Sequence, residues 1–253
     1  LDLSDEIIAN IAVSAPGELR ARMEKIIARK GKRVRSTLLF LIGATGTEPA
    51  SLERRAKAAS SIELLHLASL LHDDIIDETD MRRGEPTAHT LWGNQMAVLV
   101  GDYALSKALE LVVVDEDQRV AKVVSEASSK LVAGEVLELD LAGKDLTIEQ
   151  YYQVIDGKTA ALMEACAACG SILAGHSDEL VEACGQMGRD FGIAFQIIDD
   201  LLDYGFGASD LGKAKYSDLQ NGLSTLPMIL YYQNLTETEI SHITELRLSL
   251  IHI

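Results

Sequence analysis

Two aspartate clusters of the same form lie far apart in the chain, at residues 73–77 (DDIID) and 199–203 (DDLLD), and each follows an apolar, helix-compatible run. On a helix, residues four apart share a face, so the first and last aspartates of each cluster project together. Carboxylates held this close repel one another unless cations join them, and hard oxygen ligands suit Mg²⁺. Two facing helices that carry Mg²⁺ would form a clamp for a diphosphate.

The composition favours one large core built from aliphatic helices. The chain has 253 residues, of which 47% are hydrophobic and only 5% are aromatic. The net charge of −16 argues against a nucleic-acid partner, because binding a phosphate backbone requires a basic face. A small phosphorylated substrate stays compatible with this charge, since metal ions invert the local sign.

Other features favour a cytoplasmic protein. The sequence has no unbroken apolar run long enough to cross a membrane, and no signal or transit segment at its start. Cys166 and Cys169 form a CxxC pair in a helical run, but a zinc site would need a second pair. We expect both to be small core residues in a reducing cytoplasm.

Helical patterns run through nearly the whole chain, and no strand alternation is convincing. A capping box formed by Thr147 and Gln150 predicts one helix start. The predicted helices lie near 2–14, 17–29, 33–44, 51–79, 95–114, 117–141, 147–174, 177–205 and 222–234. The two aspartate clusters would then face each other in an all-α bundle.

Several short motifs stand in one order between about residues 31 and 227. They are GKRVR (31–35), HDDIIDETDMRRG (72–84), GKT (157–159), FQIIDDLLD (195–203), LGK (211–213) and TLP (225–227). In this order they resemble the trans-isoprenyl diphosphate synthase (polyprenyl synthetase) family. The likeness is greatest to its bacterial long-chain members of the octaprenyl, heptaprenyl and solanesyl type.

The resemblance implies an isoprenoid synthase type I fold. This is an all-α, single-domain bundle of long antiparallel helices with a central active-site cavity. It implies a polyprenyl synthetase domain over residues 1–247 that lacks its C-terminal helices. The last six residues, 248–253 (LSLIHI), are interpreted as a sequence artefact.

The resemblance also assigns roles to site residues. About three Mg²⁺ ions would be held by the carboxylates of Asp73, Asp77, Asp199, Asp200 and Asp203. Asp74 would support the first cluster. Isopentenyl diphosphate would be bound by Lys32, Arg35, His66 and Arg83. The allylic diphosphate would be held by Arg82, Lys158 and Lys213. Thr159 and Gln196 would stabilise a carbocation with neutral dipoles. His72 is interpreted as mainly structural.

Two positions depart from the family pattern. Ser36 stands where the family commonly has proline after the GKRVR motif, and we expect this to affect only the local turn. Leu223 stands where the family usually has a lysine that assists diphosphate binding. The loss of this positive charge bears on the rate or the metal affinity more than on the reaction class.

The implied reaction is head-to-tail prenyl transfer from an allylic diphosphate to isopentenyl diphosphate. Ala68 and Ser69, five and four residues before Asp73, are small where bulky residues block the product tunnel of short-chain members. We therefore expect a long product of six or more isoprene units, with a farnesyl or geranylgeranyl product as the alternative. The family further implies a homodimer whose product is handed to a membrane.

Two other functions fit part of the pattern. A class I terpene cyclase would share the first cluster, but it would carry an Asn/Ser/Glu triad at the second and would not need Lys32, Arg35 and Arg83. A regulatory subunit of a heteromeric prenyl synthase would usually lose the aspartates, and this chain keeps all six.

Overall fold

The computed structural model describes residues 1–29, 31–206 and 224–236, and within these ranges the chain is almost wholly helical. The α-helices are α1 (Asp2–Ser14), α2 (Glu18–Ile27), α3 (Val34–Gly43), α4 (Leu52–Ile76), α5 (Ala88–Trp92), α6 (Asn94–Val113), α7 (Gln118–Leu141), α8 (Ile148–Ile155), α9 (Ala161–Leu173), α10 (Asp178–Asp203) and α11 (Leu226–Tyr232). The all-α prediction is confirmed.

Two features interrupt the helical pattern that the sequence predicts. Residues Asp156–Ala160 form a π-helical turn between α8 and α9, inside the single helix predicted over 147–174. Strands β1 (Met81–Arg82) and β2 (Glu85–Pro86) pair antiparallel in a short hairpin, with Arg82 opposite Glu85. Strands of two residues are too short to show an alternating pattern, which is why the sequence did not indicate them.

The chain divides into two compact units. The first comprises Leu1–Ser129 and Leu162–Arg189, and the second comprises Lys130–Ala161 together with the residues from Asp190 onward. The prediction of a single domain over 1–247 remains a prediction, as does the expectation that the two acidic helices face each other. Residues 248–253 lie outside the described ranges.

Small residues let α4 approach its neighbours closely in the first unit, where it packs against α1, α3, α5 and α6. The hydroxyl of Ser61 donates to the carbonyl of Ala108 on α6 (2.6 Å). The hydroxyl oxygens of Ser60 and of Ser4 on α1 lie 2.9 Å apart, so hydroxyl groups join the helices where they touch. Ser51 opens α4 by accepting the N–H of Arg54. The helix is therefore held along its length before it reaches the aspartates.

In the second unit, α8 begins at the predicted capping box, in which the side chains and backbone N–H groups of Thr147 and Gln150 bond reciprocally. Tyr151, Ile155 and Ile229 form the buried centre of an apolar cluster that joins α8 to α10 and α11. This packing places Tyr151 beside the end of α10, where the second aspartate cluster lies.

Cys166 and Cys169 are fully buried in the first unit, as expected for core residues. Burial raises the pKa of both thiols. They therefore stay protonated and unreactive near neutral pH.

Candidate active site

The first aspartate cluster lies at the carboxyl end of α4, where the helix closes in a left-handed turn. The N–H of Asp77 donates to the carbonyl of Asp73 (2.8 Å), which keeps these residues one helical turn apart. Glu78 then adopts a φ of 50°. The N–H groups of Glu78 and Thr79 donate to the carbonyls of Ile75 and Asp74 in a Schellman pattern. The helix thus ends directly after the cluster.

Both clusters occupy the carboxyl end of a helix, since α10 ends at Asp203. The helix dipole places partial negative charge at that end, and carboxylates there are disfavoured. Mutual repulsion between neighbouring aspartates adds to this cost. Cations bound at these two ends would relieve both terms, which supports the assignment of the clusters as cation sites.

Asp74, the second of the three aspartates in the first cluster, is buried and anchors its neighbours. Asp74 is buried and accepts a hydrogen bond from Nε of Arg82 at 2.7 Å. Burial raises the pKa of Asp74, while the attraction of Arg82 opposes the rise. Arg82, predicted to hold the allylic diphosphate, is thereby fixed in place by the aspartate cluster itself.

The hairpin after the cluster sets the direction of the arginine pair. Arg83 and Gly84 form its two-residue turn with φ values of 53° and 79°. Positive φ at both central positions is typical of a type I′ turn, which matches the twist of the flanking strands. Glycine tolerates this backbone readily, but arginine adopts it at a cost, so the turn is a strained point beside the cluster.

The charges of arginines from two distant motifs act on His66. Its pKa is lowered well below the ordinary value, first by burial and then by the positive charges of Arg35, Arg82, Arg83 and Arg33. The GKRVR and RRG motifs therefore meet at one place in the first unit. A concentration of positive charge around a neutral imidazole suits a polyanion such as a diphosphate.

Two further observations describe this arginine cluster. A side chain at Gly31 would begin 4.0 Å from Nη1 of Arg83, so the start of the GKRVR motif lies beside the arginine pair. Nε of Arg35 is buried without a hydrogen-bond partner among the described residues. Lys32 is exposed next to Gly31. The structure thus brings Arg35, His66 and Arg83 together, and their part in binding isopentenyl diphosphate remains a prediction.

Glu63 is a residue that the sequence analysis missed. Its carboxylate accepts the hydroxyl of Ser36 (2.6 Å), the backbone N–H of Ser36 (3.2 Å) and a guanidinium N–H of Arg33 (3.1 Å). The expectation that Ser36 affects only the local turn was wrong, because its two bonds tie the start of α3 to α4. A proline at this position would lose both.

The second cluster is also built around a buried middle aspartate. Asp200 accepts the phenolic O–H of Tyr151 (2.6 Å) and the amide N–H of Gln196 (2.8 Å), and Thr159 donates to the carbonyl oxygen of Gln196 (2.7 Å). Burial raises the pKa of Asp200, the two donors lower it, and Asp199 raises it further. Thr159 and Gln196, predicted to act together, lie in direct contact.

The outer aspartates differ in exposure. Asp73 and Asp199 are half-buried, Asp77 is exposed, and Asp203 is buried. No three acidic, histidine or cysteine side chains converge as a complete metal cage in the part of the chain that the structure describes. Mg²⁺ is commonly held by one or two carboxylates together with substrate phosphates, so these oxygen donors fit a site completed by a diphosphate.

Lys158 lies on the π-helical turn and is held by two carboxylates that the sequence analysis did not single out. Nζ is 2.9 Å from Oε2 of Glu135 and in contact with Oε2 of Glu138. The negative charges raise the pKa of Lys158 although burial opposes them. The spacing of Glu135 and Glu138, three apart on α7, was a signal that they share a face.

The remaining predicted residues fall in different places. Ala68 is buried, and Ser69 is half-buried with its hydroxyl on the carbonyl of His66 (2.9 Å). His72 lies against α6, where Gly101 leaves room for its ring, in agreement with a structural part. Lys213 and Leu223 lie outside the described residues.

The described part of the chain is thus an all-α protein with an anchored aspartate cluster at the carboxyl end of each of two long helices. None of its helices combines the length and apolar composition needed to cross a bilayer. The sequence profile of the Polyprenyl synthetase family matches residues 16–247, and the chain belongs to this family.

Named relatives include both long-chain and short-chain enzymes. Octaprenyl diphosphate synthase of Escherichia coli K12 is 42% identical over 206 residues, which cover 81% of this chain and 63% of the relative. A short chain isoprenyl diphosphate synthase of Methanothermobacter thermautotrophicus is 37% identical, covering 94% of this chain and 74% of the relative. The chain thus spans less than two thirds of the length of the octaprenyl relative and about three quarters of the length of the other.

A solved structure agrees with the fold. The crystal structure of a decaprenyl diphosphate synthase from Rhodobacter capsulatus superimposes with a TM-score of 0.85 at 33% identity, covering 99% of this chain and 81% of that one.

Proposed function

We propose that this protein catalyses Mg²⁺-dependent head-to-tail prenyl transfer, condensing an allylic diphosphate with isopentenyl diphosphate into a long all-trans polyprenyl diphosphate. The observation that carries the proposal is the repeated design of the two clusters. In each, the middle aspartate is buried against hydrogen-bond donors while its neighbours stand at a helix end that favours cations. Membership of the polyprenyl synthetase family supports the same reaction.

The metal ligands would be the outer aspartates of each cluster together with Asp200, for about three ions. Bound Mg²⁺ would supply the charge neutralisation that lets the allylic diphosphate depart. Arg82, fixed by Asp74, would hold the allylic diphosphate. Lys158 and Lys213 would meet the leaving diphosphate.

The arginine cluster around His66 would hold isopentenyl diphosphate with Lys32. The C–O bond of the allylic substrate breaks, and the electron pair leaves with the diphosphate. The double bond of isopentenyl diphosphate then forms the new C–C bond, and a proton passes to the released diphosphate to restore an allylic double bond. Thr159 and Gln196 present neutral dipoles, which stabilise a cation without trapping it in a covalent bond.

The proposed product is long. Ala68 has no bulk, and the hydroxyl of Ser69 folds back on its own helix, so neither residue extends a large side chain. The octaprenyl relative supports this length. The second candidate is a short-chain synthase, which the likeness to the short chain isoprenyl diphosphate synthase favours.

The cyclase alternative fits less well, because the arginine cluster around His66 provides for a second diphosphate that a cyclase does not use. The regulatory-subunit alternative fits less well because both clusters are intact and anchored. We further propose a cytoplasmic homodimer that delivers its product to a membrane, which rests on the family resemblance alone.

Transfer of labelled isopentenyl diphosphate onto farnesyl diphosphate tests the reaction. Asp73→Asn and Asp199→Asn should each reduce turnover by at least about 100-fold, because each removes a charged ligand that acts on the departing diphosphate. Asp2→Asn, an exposed aspartate of α1, is the matched control and should leave turnover unchanged. Equal activity in all three variants would refute the proposal.

A further inference from the structure

Lys158 is shared between two carboxylates of α7, those of Glu135 and Glu138. Glu135 is buried, and among the described residues neither of its carboxylate oxygens has a hydrogen-bond partner beyond the 2.9 Å ion pair with Lys158. Glu138 contacts the same ammonium group. A buried carboxylate whose charged partner is a lysine shared with another glutamate costs free energy, so packing alone does not account for Glu135.

The backbone fixes this arrangement. A Cβ at Gly157 would lie 2.8 Å from Cα of Gly134 and 2.9 Å from the carbonyl oxygen of Lys130. A Cβ at Gly134 would lie 2.7 Å from the backbone nitrogen of Lys158. Two glycines therefore let the π-helical turn pack closely against α7. This contact brings the backbone of Lys158 against the part of α7 that carries both glutamates.

The carboxylates oppose what Lys158 would do with a diphosphate. An unpaired lysine attracts an anion with its full charge. A lysine that is already paired with carboxylates attracts the anion less, because it must leave these partners or be shared with them. This competition weakens the hold of Lys158 on diphosphate, including diphosphate released as a product.

We propose that Glu135 and Glu138 attenuate the attraction of Lys158 for diphosphate, so that the released diphosphate leaves the site. The inference rests on the proposed function in one respect, that Lys158 faces a diphosphate. It assigns Glu135 and Glu138 as positioning residues that act through Lys158 and do not touch the substrate.

Calorimetric titration of the protein with inorganic diphosphate in the presence of Mg²⁺ tests the proposal without relying on turnover. Glu138→Gln and Glu135→Gln keep the shape of the side chain and remove its charge. Each should tighten diphosphate binding by about fivefold. If the glutamates had a purely structural role, each variant would instead weaken diphosphate binding, because the site would be loosened. Glu138 is the more exposed of the two, so its variant guards against a folding defect at Glu135.

Two further variants separate the explanations. Glu126→Gln alters an exposed glutamate of the same helix, paired with Lys122 at 3.8 Å, and should leave the affinity unchanged. In a double-mutant cycle, Glu138→Gln should give no gain once Lys158→Gln is present, because the effect passes through the lysine. A gain that persists without Lys158 would overturn the proposal.

The outcomes distinguish this inference from the proposed function. If the wild-type protein binds no diphosphate, or if Lys158→Gln binds it as well as wild type does, the assigned part of Lys158 fails and this inference fails with it. If wild type binds and Lys158→Gln weakens binding, but neither glutamate variant tightens it, the inference alone is overturned.

Discussion

In the proposed site, some residues would face a substrate and others hold those residues in place. Asp74 and Asp200, the middle members of the two clusters, are 5% and 3% exposed, and each accepts hydrogen bonds from a defined donor. In the proposed site both residues anchor their cluster, and Asp200 would also help to bind metal. Side chains of identical type in one motif thus differ in burial and in hydrogen bonding.

Tyr151→Phe tests the anchor of the second cluster. It removes the O–H donated to Asp200 and leaves a buried carboxylate with fewer partners, which should lower the free energy of unfolding by about 1–3 kcal/mol at neutral pH. Since the pKa of Asp200 rises further in this variant, the penalty should shrink as the pH falls and the carboxyl protonates. Urea unfolding at two pH values in EDTA measures both effects.

Tyr152→Phe is the matched control, because this neighbouring tyrosine is exposed on the same helix. Equal stability of both variants would contradict the anchor assigned to Asp200.

His66 makes the protein sensitive to acid. Its folded-state pKa lies well below the ordinary value of about 6.5, so only the unfolded chain takes up this proton as the pH falls below that value. The stability that comes from the neutral imidazole is fully present above about pH 6.5 and is lost as the pH falls. The expected loss is roughly 1 kcal/mol at pH 5.5.

Urea midpoints at pH 7.5 and pH 5.5 should therefore fall more for wild type than for His66→Gln. Chloride buffers keep phosphate and sulfate away from the surrounding arginines. Parallel decreases in the two proteins would show that another group titrates.

The sequence grouped Arg35, His66 and Arg83 because the family motifs name them. The structure places these residues near one another, and their part in binding a substrate remains a prediction. Glu63 and Glu135 were missed, because a glutamate on an amphipathic helix has the same pattern whether its partner is solvent or a buried cation. Only packing between helices makes that distinction.

Among the elements, the π-helical turn of residues 156–160 positions two residues of the proposed site. It inserts a wide turn between α8 and α9 and directs Lys158 and Thr159 from it. The contact between Gly134 and Gly157 supports this turn, since any Cβ at either position would collide with backbone atoms.

Gly157→Ala should therefore destabilise the protein by about 1–3 kcal/mol, because backbone atoms of α7 have to move. Gly185→Ala in α10 is the matched control, since its Cβ would meet only ordinary contacts at 3.7 Å and 3.8 Å. There alanine should stabilise by about 0.5–1 kcal/mol through its higher helix propensity. Thermal unfolding of both variants compares the signs, and a stabilised Gly157→Ala would contradict the close approach.

The long helices were predicted to within a few residues, because their apolar periodicity and caps are local signals. The hairpin at 81–86, the short helix α5 and the π-helical turn were not. Segments of two to five residues carry too little periodicity to show in a sequence pattern.

For the whole molecule, the net charge of −16 is compatible with binding diphosphates because charges of opposite sign are concentrated locally. Positive charge gathers around His66, while carboxylates gather at two helix ends. The all-α class was predictable from composition and periodicity. The division into two compact units was not, since it follows from long-range contacts.

Product length is also a property of the whole molecule, because it depends on the space open to a growing chain. Ser69→Val adds bulk at a half-buried position of α4 and should shorten the main product, while Ser69→Ala should leave the length as in wild type. Sizing of the dephosphorylated products measures the change. An unchanged length with valine would place the limit elsewhere.

The central claim is tested most directly by prenyl transfer with the protein expressed from its complete gene. It is supplied with labelled isopentenyl diphosphate, farnesyl diphosphate and Mg²⁺, and the products are sized with and without EDTA. We expect products of six or more isoprene units that disappear with EDTA. Products of three or four units would retain the chemistry and contradict the product length. Absence of any product with Mg²⁺ present would contradict the assignment of the two aspartate clusters to prenyl transfer.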